Sequence, residues 1–175
     1  MIAVRYFWVV IAALACGSPF DVARAHVMNT GQVTLNIVGA RVYVAATLPL
    51  SAFQTADTEQ IAAQVTRALH VSARHHQTPL QGVIVTIDEA GHAASEAHAV
   101  LVLGVAMFDA TPTPLKLSVA PEFLAKTGKL VAIASYNVAG RPHEFGRRSL
   151  TVNKNEATFG NPPTGARATS AILGR

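Results

Sequence analysis

Val33, Leu35 and Ile37 alternate with Thr34 and Asn36; after Gly39-Ala40, Val42, Val44, Ala46 and Leu48 alternate with Arg41, Tyr43, Ala45 and Thr47. A period of two sends successive side chains to opposite faces of an extended chain, so each run has one apolar face that must be covered. Two such runs joined by a Gly-x pair read as a tight hairpin with glycine at the first turn position, and Pro49 closes the second run. A chain that begins in this way must find its core between paired strands.

The same pattern recurs downstream. Val83–Ile87 is bounded by Gly82 and the turn-like Glu89-Ala90-Gly91. Ala97–Met107 reads as a long strand with Leu101, Leu103, Val105 and Met107 on its buried face and Gly104 at a bulge or bend. Thr111-Pro112-Thr113-Pro114 breaks it. Leu115, Leu117 and Val119 make a further strand, Pro121–Gly128 a connector, and Leu130–Tyr136 pairs with His143–Val152. One helix is expected: Asp57 caps it with Gln60 three residues on, and Ile61, Val65, Ala68, Leu69 and Ser72 share a face. Arg74, His75 and His76 would then gather at its C-terminal end, where the helix dipole favours positive charge. About seven strands and a single inserted helix predict a mainly β chain, an antiparallel β-sandwich. The alternation stops at Asn155, and Asn161-Pro162-Pro163-Thr164-Gly165 opens a stretch with little to bury. The expected organisation is a leader over 1–25, a sandwich domain over 26–155 and a disordered tail over 156–175.

The leader is read from Met1–Arg5, a short start ending in a positive charge, followed by the apolar run Tyr6–Ala15 and the small–x–small Ala23-Arg24-Ala25. Ten apolar residues fall short of the roughly 20 that span a bilayer, so a cleaved export signal is favoured over an anchor. A lipid-anchor reading of Ala13-Leu14-Ala15-Cys16 is weaker, because Ala stands where such signals usually carry Leu. The expected location is periplasmic or secreted. Cleavage after Ala25 leaves 150 of the 175 residues, enough for one domain, with no transmembrane span expected. Cys16, the single cysteine, would leave with the signal, which excludes disulfides, thiolate metal sites and a Cys nucleophile. Losing Arg5, Arg24 and Asp21 takes 14 basic and 10 acidic residues to 12 and 9, scattered along the chain. That is no stripe for a phosphate backbone, and nucleic acid is not expected as a partner.

Processing after Ala25 would make His26 the terminal residue. A free amine and its own imidazole chelate one transition metal ion, and a third nitrogen would complete a site suited to copper. His92, His98 and His143 are the candidates for that third ligand, with Met28 a soft donor nearby. His70, His75 and His76 read as surface residues. HExxH, GxSxG, phosphate-loop and EF-hand signatures are missing, and the few acids do not cluster.

Ala25-His26 before the first strand, the Gly39 hairpin, Leu48-Pro49-Leu50, Asp57 leading a helix, Tyr136, and His143–Phe145 give residues 25–159 a layout that resembles the periplasmic N-terminal domain of HupE/UreJ-type membrane proteins. That family is linked to nickel and other metal transport through a multi-helix membrane part. The resemblance implies an accessory domain outside the cytoplasmic membrane, partnered by a membrane transporter or another envelope protein, and carries no permease activity. The layout is also similar to small copper-resistance carriers with an N-terminal His, although only Met28 and Met107 remain after residue 25. A third resemblance is to copper monooxygenases that cut polysaccharides. Trp8, the single tryptophan, lies in the leader, so a flat aromatic sugar platform is poorly supplied. A binding or accessory module therefore ranks first, a structural or partner-docking sandwich second, and an enzyme third.

Overall fold

The opening alternation becomes a hairpin. The computed structural model describes residues 30–74, 76–88, 99–138 and 141–161. In it β1 (Thr30–Val38) pairs antiparallel with β2 (Arg41–Pro49), Val38 opposite Arg41 with only Gly39-Ala40 between them. Gly39 takes φ 60°, the left-handed region that this tight turn needs and that glycine enters without strain. Val33, Leu35, Val42, Ala46 and Leu48 all face the core.

A short 3-10 turn, Leu50–Ala52, leads to α1 (Thr58–Ala68). The Asp57 carboxylate accepts from the backbone N–H groups of Glu59 (2.8 Å) and Gln60 (3.3 Å), and the Gln60 amide donates back to it at 3.1 Å. These bonds satisfy donors that the first helical turn leaves open. Ile61, Val65 and Ala68 form the buried stripe. The helix ends at Ala68, earlier than expected. From there Leu69, Val71 and Ala73 follow a period of two and enter β3 (Leu69–Ala73), whose ladder with a later strand outweighs another helical turn. After a turn through Arg74, β4 (His76–Thr78) pairs back onto β3. His76 thus sits on a strand and not at a helix end, and His70 lies half-buried on β3; His75 lies outside the described residues.

The remaining elements are β5 (Gln81–Asp88), β6 (Ala99–Met107), β7 (Leu115–Val119), α2 (Pro121–Thr127), β8 (Lys129–Val138), β9 (Arg141–Leu150) and β10 (Glu156–Phe159). The expected connector at Pro121–Gly128 is a second helix. It is too short to show a period, but Pro121 opens it and Gly128 follows it, the usual placement of those residues, and Phe123 and Leu124 are buried. β10 continues the structure past Asn155, where the visible alternation ends, and buries Ala157 and Phe159.

β6 presents the face opposite to the expected one. Val100, Val102 and Ala106 point inward, while Leu101 (39% exposed), Leu103 (41%) and Met107 (45%) face outward. Nearly every residue of this strand is apolar, so composition does not choose a side. Register does: Val100, Val102 and Ala106 lie opposite the buried Leu48, Ala46 and Val42 of β2. The irregularity expected at Gly104 is on the partner strand, between Gln81 and Ile84.

Among the described residues ten strands form two sheets, one of six in the order β5-β6-β2-β1-β8-β9 and one of four in the order β10-β7-β3-β4. The count exceeds the expected seven by β3, whose first residues fall within the expected helix, and by the short β4 and β10. Every ladder is antiparallel except β1–β8, which is parallel. Between those two strands the chain passes through β2, β5 and β6 of the first sheet, β3, β4 and β7 of the second, and α2, and β8 then starts at the end where β1 began. Side chains from both sheets join one hydrophobic core. On one side β9 lies beside β10, where Phe159 packs on Phe145 (centroids 6.4 Å) and over Gly146. A Cβ at Gly146 would stand 2.7 Å from the Phe159 ring, so only glycine fits there. On the other side α1 packs against β5.

Candidate functional site

The outward face of the six-stranded sheet carries exposed apolar side chains among small polar ones. Register places Ile84, Leu103, Ala45, Thr34 and Ile133 in one cross-strand row, and Thr86, Leu101, Thr47, Gln32 and Val131 in the next. Tyr43 lies between Val105 and Asn36 in the row on the other side. Ile84 is 62% exposed and Tyr43 44%. Exposed apolar side chains gathered on one face are the usual make-up of a contact surface, and here they share their rows with Thr34, Thr47, Thr86 and Gln32. The sequence signal for it was β6 itself, apolar on both faces.

Polar groups border this surface towards β9. The Ser135 hydroxyl donates to Asn36 Oδ1 at 3.3 Å. A bulge between Gly146 and Glu144 inserts Phe145, which brings Glu144 and Arg147 onto one face although they are three residues apart. The guanidinium donates two hydrogen bonds to the carboxylate, at 3.0 and 2.9 Å. These bonds, reinforced by the positive charge, hold the Glu144 carboxyl below its ordinary value. Glu156 is lowered in the same way by Lys116 at 2.8 Å. A lowered carboxyl contributes stability above its unfolded value and loses it as pH falls through the folded one; for exposed pairs the contribution is small. Arg147→Ala should therefore return Glu144 towards the ordinary carboxylate range in an NMR titration. An unchanged titration would show that the pair does not hold in solution.

A second feature is a cleft of about 170 Å³ beside the β3–β4 turn, lined by Arg74, His76, Phe108, Asp109 and their neighbours. Arg74 has φ 48°, as a two-residue hairpin turn requires, and its Nε donates to the Thr113 carbonyl at 3.4 Å. Its mixed charges and openness select no ligand class.

Of the metal-ligand candidates, His26, His92 and His98 lie outside the described residues, as does Met28. His143 is described. It is exposed on β9, opposite Tyr136, and their rings stack at 5.8 Å. Among the described residues no three His, Asp or Glu side chains come together as a metal cluster. The sheet does fix where the other candidates are attached. Asp88 and Ala99, which flank the segment with His92 and His98, pair with each other, and Ala99 pairs with Pro49 at the end of β2. Thr30, four residues after His26, begins β1 at this same end, level with Lys129 of β8. His143 lies opposite Tyr136, which pairs with Ile37 near the other end of β1.

No family model matches this chain, and no curated protein matches it.

Proposed function

We propose that the two sheets pack face to face as a β-sandwich, exported to the periplasm or beyond, that serves as a non-enzymatic accessory domain binding a transition metal, copper or nickel, through His26 at a processed N-terminus. The observation that carries the reading is the shared end of the six-stranded sheet. Ala99 and Thr30 are two strands apart there, about 10 Å at 4.8 Å per strand. His98 directly precedes Ala99, and four residues link His26 to Thr30, a reach of at most about 14 Å. His143 stands some seven residues further along the sheet, about 23 Å away. This favours His98, with His92 next, over His143 as the third ligand. Copper(II) titration of processed protein beside His98→Ala, His92→Ala and His143→Ala tests it. Affinity should fall in one or both of the first two variants and hold in the third; loss confined to His143→Ala contradicts the assignment.

The outer apolar surface favours a second reading, a partner-docking domain, with a membrane transporter or another envelope protein as partner in keeping with the HupE/UreJ resemblance. Among the described residues no helix is long and apolar enough to cross a membrane. Leu101→Asp with Leu103→Asp should remain folded, since both side chains point outward, and should lose retention on envelope membranes. Undiminished retention would remove this reading. The copper monooxygenase reading stands third, tested by oxygen-dependent activity with copper and a reductant.

A further inference from the structure

We infer that β5 is a pairing edge and that its partner is β5 of a second copy of this chain, joined antiparallel about a two-fold axis into one continuous sheet. The argument begins with the four strands that end the two sheets. β4 has three residues and β10 four, too short to template another chain. β9 is long, but it carries Pro142, Arg141, Arg147 and Arg148, is bulged at Phe145 and lies beside β10. Short length, proline, charge, bulges and cover are the devices that keep sheet edges from pairing.

β5 carries little of this protection. Its bulge is confined to the stretch before Ile84, and Ile84 to Asp88 then run in unbroken register with β6. Val83-Ile84-Val85-Thr86-Ile87 are five β-branched residues in succession, with no proline, lysine or arginine on the strand. Among the described residues β6 is its one strand neighbour, and no other described strand pairs with its outer row of backbone N–H and C=O groups. α1 packs on its inner face and Ile84 projects from its outer face. The strand also suits itself. Turned antiparallel about Val85, it sets Ile84 opposite Thr86 of the other copy, a β-branched pair on the outer face. Asp88, the one charged residue in the strand's sequence, takes the register position opposite Gly82 of the other copy.

Sedimentation equilibrium of the full chain, beside Ile84→Lys, Thr86→Lys and Leu103→Lys, tests the inference. Ile84 and Thr86 are exposed at the edge; Leu103 is exposed on the same face but one strand inside it. The expected result is a concentration-dependent dimer in the wild type and in Leu103→Lys, and a folded monomer in the two edge variants. A wild type that stays monomeric up to about 1 mM, where even weak association shows, overturns the inference. So does a dimer that survives both edge substitutions, or one lost as fully in Leu103→Lys, which would assign the contact to the open face. Amide exchange of the wild type needs no substitution: protection at Val85–Ile87 should rise with protein concentration, and a constant value counts against pairing there.

Discussion

Phe159→Ala should destabilise the chain by about 3–5 kcal/mol, the range for truncating a buried aromatic residue. Phe159 is 1% exposed and joins the last strand of one sheet to Phe145 and Gly146 on the last strand of the other. Truncation leaves a ring-sized void that cannot close easily, because Gly146 has no side chain to move into it. Urea unfolding measures the loss. A change under about 0.5 kcal/mol, the range of surface substitutions, would mean that β10 does not belong to the core. Ending the chain at Asn155 should cost at least as much, since it also removes Ala157 and the ladder of β10 with β7.

Leu35→Ala should cost about 2–5 kcal/mol. Leu35 is fully buried on β1, a strand flanked on both sides by β2 and β8. Neighbours held by ladders on both sides have little freedom to collapse into the space. Leu103→Ala provides the contrast: although it too lies on an interior strand, its side chain faces outward, and its truncation should stay near 0.5 kcal/mol. Equal losses at the two positions would reverse the faces assigned to the six-stranded sheet.

That contrast marks how far the sequence could be read. The β1–β2 hairpin, the Asp57 cap and the β8–β9 pairing follow from alternation, turn chemistry and capping, all local signals, and all three are present. The outward face of β6 was not legible, because a strand apolar on both sides is oriented only by its neighbour's register. The end of α1 was obscured because Ala68 and Leu69 fit both a helical and a strand period, and pairing with β7, 46 residues from Leu69 at its first residue, decides between them. The parallel β1–β8 ladder is a property of the whole path of the chain. For the candidate site, the histidines were visible as residue types, but their spacing in sequence says nothing of sheet ends. Only the ladders separate the attachment points near Thr30 from His143.

The claim that the domain binds metal at a processed terminus meets its most direct test in copper(II) affinity measured on three forms: protein beginning at His26, the same protein with one added N-terminal Gly, and His26→Ala. The added residue removes the chelate of amine and imidazole while leaving β1 and the core unchanged. Binding to the first form should also weaken as pH falls through about 6.5, where an unperturbed imidazole gains its proton. The account predicts tight binding by the first form alone. Equal affinity in all three would contradict it and move any copper to exposed histidines such as His76 and His143.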